Sequence, residues 1–345
     1  MIPDINPYPK VAAPEWKCVT GETASGSDRV ERRKFIQDML GSAVALSASL
    51  KQQSNSFMTI ITDPRCTEFR TLGHPEKPAR VQRTVDLLKR QKSLQLDWAE
   101  PGVVTDSQLL RAHSQEHLDR LNVAESFDGD TSWYPDIANH ARRAAAAAIV
   151  AARLARSGKP AFSLMRPPGH HATRRKAMGF CYLSTMAIAV LDAIAEGSKR
   201  VAVLDFDVHH GNGTEDILRD QSQITFASIH QFPCYPGTGE QDVGSNCFNY
   251  PLKPRTPRQE WCKTIQKALE RLLATKPELI GVSAGFDAFA HDPLANGTLE
   301  REDFHWIGME LRRTGLPIFS VLEGGYSADL PDLVLLYLNG LSGKE

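Results

Sequence analysis

Val201-Ala-Val-Leu-Asp-Phe-Asp-Val-His-His-Gly-Asn-Gly-Thr214 is the stretch whose reading decides the fold. Its opening apolar run suits a strand buried on both faces of a parallel sheet, and the run stops abruptly at polar residues. Side chains alternate along a strand, so Asp205, Asp207 and His209 project to one side while Phe206 and Val208 project to the other. In open α/β sheets ligands bind outside the carboxyl ends of the strands, which is where this cluster lies. A carboxylate and a histidine two residues apart suit a borderline metal such as zinc. Two ligands do not hold an ion firmly, so others must come from elsewhere.

Outward from this strand the chain alternates strand and helix. Expected strands are Phe57 to Ile61, Ala161 to Met165, Ile224 to Ile229, Leu279 to Ser283 and Pro317 to Leu322. Expected helices are Pro78 to Gln91, the alanine-rich Asp136 to Arg156, Phe180 to Glu196 and Gln259 to Thr275. The alternation implies a mostly parallel sheet covered on both faces, a three-layer α/β/α sandwich. Five strand ends then carry, in order, His170-His171, Asp205-x-Asp207-x-His209, the loop Tyr235 to Gly239, Asp287 and Glu323-Gly324-Gly325-Tyr326. Each is ordinary alone, but together they gather ligands, bases and a hydroxyl donor on one edge.

Asp207, His209 and Asp287 make a three-ligand set that leaves one zinc position open for water, as catalytic sites require. Such a site suits hydrolysis of an amide or ester. His170 and His171 are candidate bases, with Asp205 able to fix a tautomer. Tyr326 can donate its hydroxyl to a developing oxyanion; the competing reading is a packed tyrosine.

These motifs resemble the zinc-dependent histone deacetylases, especially class II and bacterial class II-like members. The resemblance runs from about Phe57 to the C-terminus and rests on Arg166-Pro-Pro-Gly-His-His-Ala172, Gly179-Phe-Cys-Tyr182, Asp205 to Thr214, Tyr235-Pro-Gly-Thr-Gly239, Ala284-Gly-Phe-Asp287 and Glu323-Gly-Gly-Tyr326. It implies the arginase-deacetylase fold, one zinc on Asp207, His209 and Asp287, and Tyr326 polarising an acetyl carbonyl. It further implies His171 as general base and acid, and an electrostatic His170 held by Asp205. Asn212 stands where class I members carry a second carboxylate. Gly179, Phe180 and Tyr235 would line a slot for the lysine stem, with Asp130, Leu294 and Gly325 as further substrate contacts. Asp130 also reads as part of a plain Asp-Gly turn. Asp205 and Ser228 fall where the family binds potassium, and Arg80 where an internal channel runs below the metal; a surface ion pair is the other reading of Arg80.

The 345 residues carry a formal net charge of −1, which gives no sign of a nucleic-acid or membrane-surface binder. Six scattered cysteines without a Cys-x-x-Cys indicate neither a zinc ribbon nor a disulfide framework and fit a reducing, cytoplasmic setting. No apolar run approaches the roughly 20 residues that cross a bilayer. Residues 1–56 read as a poorly ordered extension before a catalytic domain at 57–345; Arg32-Arg33 and the apolar segment after it resemble a twin-arginine export signal, the alternative to a cytoplasmic location. Three rivals stand beside the lysine deacetylase. A dimetal arginase-like hydrolase is opposed by Gly211 and Phe289 where further aspartates would be needed. An acetylpolyamine deacetylase is weakened by Leu294 where eukaryotic members place a glutamate. A silent acyl-lysine binding module would have no use for Tyr326 and two histidines. Expected partners are therefore acetylated lysine in a peptide or protein, or a small acetylated amine.

Overall fold

The structure, a computed structural model, describes residues 58–344. The extension 1–56, the Arg32-Arg33 pair, Cys18 and Phe57 lie outside the described residues.

Among the described residues, eight strands form one sheet in which every pairing is parallel. They are β1 (Met58–Ile61), β2 (Leu96–Ala99), β3 (Ala161–Ser163), β4 (Val201–Asp205), β5 (Ile224–Gln231), β6 (Cys247–Leu252), β7 (Leu279–Ala284) and β8 (Ile318–Leu322), in the order β2-β1-β3-β8-β7-β4-β5-β6. β3, β4, β5, β7 and β8 are buried along their whole length, as near-continuous apolar runs require. The edges β2 and β6 were not expected. β2 is half-exposed and β6 contains Pro251, a residue confined to edge strands because it cannot donate to a central ladder.

The helices are α1 (Ala79–Arg90), α2 (Asp106–Ala112), α3 (Gln115–Arg120), α4 (Ile137–Arg156), α5 (Thr185–Ala195), α6 (Asn212–Leu218), α7 (Arg258–Ala274), α8 (Arg301–Arg313) and α9 (Leu330–Ser342). α1, α9, α8 and α7 pack in succession as one layer, and α2, α4 and α5 belong to the other. In α4 the run Ala144 to Ala148 is fully buried against β1, β3 and β8, small side chains letting helix and sheet approach closely. The expected α/β/α sandwich is what forms.

One expected helix begins too early. Phe180 to Ser184 is not helical: Gly179 and Phe180 have φ of +56° and +68°, and α5 begins only at Thr185. The Phe180 N–H donates to Thr131 Oγ1 at 3.0 Å, so this segment is a loop fixed by a partner from elsewhere in the chain. Among the described residues no helix is long and apolar enough to cross a membrane. The five described cysteines are free.

Candidate active site

Because all strands run the same way, β3, β4, β5, β7 and β8 deliver their loops to one edge of the sheet. β4 ends at Asp205, yet the alternation expected of the strand persists beyond it. Phe206 turns into the core against Phe286 and Tyr337, while Asp207 and His209 meet Asp287 from the loop after β7. One potential ligand atom from each of Asp207, His209 and Asp287 lies within 4.8 Å of the others, and all three residues are buried.

This trio fits a metal ion on its own chemistry. His209 Nδ1 lies 3.1 Å from both Asp207 Oδ1 and Asp287 Oδ2, so one imidazole nitrogen faces two carboxylates. Burial pulls His209 down, but Asp287 and Asp207 outweigh it and hold the imidazole well above its ordinary value. Burial and the neighbouring Asp207 push the Asp287 carboxyl up. Crowded buried carboxylates are costly without a cation among them, and two oxygens and a nitrogen are a zinc-type donor set. The remaining oxygens are aimed by the main chain: Val208 N–H donates to Asp287 Oδ1 at 2.9 Å and Gly324 N–H to Asp207 Oδ2 at 2.7 Å. Such outer hydrogen bonds orient metal ligands.

The His170-His171 turn follows β3. His170 Nδ1 donates to Asp205 Oδ2 at 3.2 Å and His171 Nδ1 to Asn212 Oδ1 at 2.7 Å. The two rings, 3.9 Å apart, are driven in opposite directions. Burial lowers His170, yet Asp207 and Asp205 overcome it and raise it to about 10. Burial and then His170 itself hold His171 well below its ordinary value.

A cavity of 180 Å³ reaches this centre and is lined by Asp130, His171, Gly179, Phe180, His209, Tyr235, Leu294 and Tyr326. Six expected residues from five different segments therefore share it with a histidine of the His pair and one of the metal trio. Gly179 has to be glycine, since a Cβ there would come within 2.6 Å of His171 and 2.8 Å of Tyr235. Gly325 is not a lining residue; its φ of +113° turns the chain so that Tyr326 faces the cavity, and its carbonyl accepts from Arg80 Nε at 2.7 Å. Arg80 is buried, which removes the surface ion-pair reading, and its guanidinium lies 4.7 Å from the Tyr326 ring centre. Asp205 and Ser228 are register partners on β4 and β5, but Ser228 Oγ is engaged by His230 Nδ1 at 2.9 Å, and the potassium expected there draws no support from this geometry.

Several supporting residues escaped the sequence reading. Glu323 Oε2 accepts from the Gly169 and His170 N–H groups at 2.7 and 3.1 Å, tying the His170-His171 turn to β8. Glu76 bonds Arg166 and Arg80, all three buried. His74 bonds the Asp130 carbonyl oxygen at 3.1 Å, and Asp292 accepts from Tyr326 N–H at 2.7 Å. The only signal was that Arg166 and Glu323 sit inside the motifs, whereas Glu76 lies outside them all; a buried charged residue needs a partner, but the sequence does not say which.

An acidic and histidine centre thus lies against a cavity at one edge of an all-parallel sheet. The chain matches the histone deacetylase domain family over residues 74–339 and belongs to that family. It is 37% identical over 304 residues to a probable deacetylase of Methanothermobacter thermautotrophicus, covering 84% of this chain and 92% of that one. Among solved structures it is similar to the HD domain of HDA15, with a TM-score of 0.79, 30% identity and coverage of 84% of this chain and 90% of that one. It is also similar to an acetylpolyamine aminohydrolase from Burkholderia pseudomallei, with a TM-score of 0.75, 25% identity and coverage of 82% and 98%.

Proposed function

We propose that this protein is a zinc-dependent deacetylase that hydrolyses the acetyl amide of lysine side chains, releasing acetate and the free amine. The observation that carries this reading is the channel between Phe180, Gly179 and Tyr235, which ends on His171, His209 and Tyr326. A narrow aromatic slot suits an extended methylene stem with an amide at its tip. The catalytic unit is taken as 57–345, with 1–56 an extension of it.

Asp207, His209 and Asp287 would hold the zinc, and when bound it supplies Lewis acidity toward a carbonyl oxygen and lowers the pKa of water. With its Nδ1–H given to Asn212, His171 keeps Nε2 free to take a proton from the attacking water and return it to the leaving amine. Its depressed basicity keeps that nitrogen unprotonated at neutral pH. His170, paired with Asp205, contributes fixed positive charge beside the centre. The Tyr326 phenol donates to the oxyanion as the carbonyl becomes tetrahedral, and burial keeps it protonated for that purpose. Phe180 and Tyr235 exclude water along the stem. Potassium at Asp205 and Ser228 rests on family resemblance alone.

A small acetylated amine is the second reading, supported by the likeness to an acetylpolyamine aminohydrolase. Against it, Leu294 contributes an apolar contact at the mouth where a cation-attracting group would serve such a substrate. Turnover of zinc-loaded protein on an acetyl-lysine peptide and on acetylated polyamines, with Tyr326→Phe as control, separates the two. Preference for the peptide, lost in the variant, is the expected outcome. Preference for the polyamine would replace the substrate, and zinc loading with no turnover of either would favour a binding module.

A further inference from the structure

Asp292 is buried and, among the described residues, is in no ion pair; it spends its carboxylate on main-chain N–H groups. Oδ2 accepts from Tyr326 at 2.7 Å and from Ser327 at 3.1 Å, and Oδ1 accepts from Leu294 at 3.1 Å. The residue thereby joins two loops, one after β7 that carries Asp287 and the mouth residue Leu294, the other after β8 that carries Tyr326. The first half of the second loop is held separately: Arg80 donates to the carbonyl oxygens of Glu323 and Gly325, and Gly324 N–H donates to Asp207. The second half is held by Asp292. Gly325, with φ of +113°, is the turn between these halves, so the direction of the Tyr326 side chain depends on the far anchor.

We infer that Asp292 is a positioning residue for Tyr326, setting the phenol for turnover while leaving substrate binding to the channel walls, and linking the mouth at Leu294 to that phenol. This deepens the deacetylase reading and rests on its assignment of Tyr326. Two consecutive N–H groups bound to one carboxylate oxygen fix a backbone direction as a single contact does not, and displacement of a catalytic group by about 1 Å costs up to about 100-fold in rate.

The test compares wild type, Asp292→Ala, Asp292→Asn, Tyr326→Phe and Asp292→Ala with Tyr326→Phe, each zinc-loaded with metal content measured, on the acetyl-lysine peptide. Asp292→Ala should lower kcat about 10- to 100-fold with KM within about twofold. Asp292→Asn keeps one oxygen for Tyr326 and Ser327 and should stay within about threefold of wild-type kcat. In the Tyr326→Phe background, Asp292→Ala should cost less than about threefold more, because the group it positions is already gone. Amide hydrogen exchange at Tyr326 and Ser327 should speed up by about tenfold or more in Asp292→Ala. Full multiplication of the two losses, a rise in KM with kcat unchanged, or unchanged exchange at those amides would overturn the inference. Should Asp292→Ala not fold, Asp292→Ser, which also removes the paired acceptor, carries the same expectations. If Tyr326→Phe alone leaves kcat intact, the reading of Tyr326 fails, and amide exchange still decides whether Asp292 anchors the loop.

Discussion

His170 and His171 are adjacent in sequence and identical in chemistry, yet one is driven toward its charged form and the other toward its neutral form. The difference is their surroundings: the Asp207 and Asp205 carboxylates overcome burial and pull His170 up, whereas burial and then His170 itself press His171 down, and the amide of Asn212 accepts its hydrogen bond without adding a negative charge. Two opposite protonation preferences are thus built from one dipeptide. If Tyr326 donates to the oxyanion as proposed, Tyr326→Phe, which removes one of the two phenol hydroxyls among the cavity-lining residues, should lower kcat by about 10²- to 10³-fold with little change in zinc content. Gly324→Ala would drive a Cβ onto the carboxylates of Asp207 and Asp287. Zinc content measured after dialysis should therefore fall well below one per chain while the far-ultraviolet circular dichroism is retained.

At the level of elements, the loops are braced by buried charge. Arg166, at the head of the His170-His171 turn, is fully buried and bonds Glu76, the carbonyl oxygens of Cys66 and Phe69, and the Phe69 ring face. Arg80 at the start of α1 shares the same carboxylate. Glu76→Ala leaves two buried guanidinium groups without their anion and should destabilise the fold by about 3–5 kcal/mol in chemical denaturation. The strands and helices themselves were largely legible: β4, α1, α4 and α7 fall within one or two residues of their expected bounds, because long apolar periodicity and a clear stop define them. Phe180 to Ser184 was not legible as a loop, because its conformation is imposed by Thr131, which lies far off in sequence. α8 and α9, amphipathic and apolar helices of 13 residues each, formed where no element had been assigned.

At the scale of the whole described fold, buried histidines held neutral make stability sensitive to acid. Burial and the nearby His117 press His113 down to about 3, and its Nε2 accepts the Ser184 N–H at 2.9 Å, which requires the neutral ring. His117 is also lowered, chiefly by burial. Between the ordinary histidine value of about 6.5 and these depressed values the unfolded chain binds protons that the folded chain refuses. The contribution of His113 is intact above about pH 6.5 and is lost as pH falls toward about 3, by about 1.4 kcal/mol per pH unit, and His117 adds a loss in the same direction. Stability measured by denaturant at pH 7, 6, 5 and 4 should fall accordingly, and His113→Gln should flatten the slope even if it lowers the plateau. Zinc binding to the crowded carboxylates works in the opposite direction: at about 1,000 times its Kd it should add about 4 kcal/mol, and chelation should lower Tm.

The sequence alone determined that the sheet is parallel, that five strand ends meet at one edge, and that Asp207, His209, Asp287, His170, His171 and Tyr326 lie together. It could do so because strand period and strand polarity are local properties, and local patterning puts every carboxyl end on the same edge. Only the tertiary structure decided which way each imidazole leans, that Arg80 is buried against Tyr326, and that Glu76, Glu323 and Asp292 brace the loops. Those outcomes depend on desolvation and on partners up to 245 positions apart, as for Arg80 and Gly325, and such forces act through space, where the order of residues leaves no periodic trace.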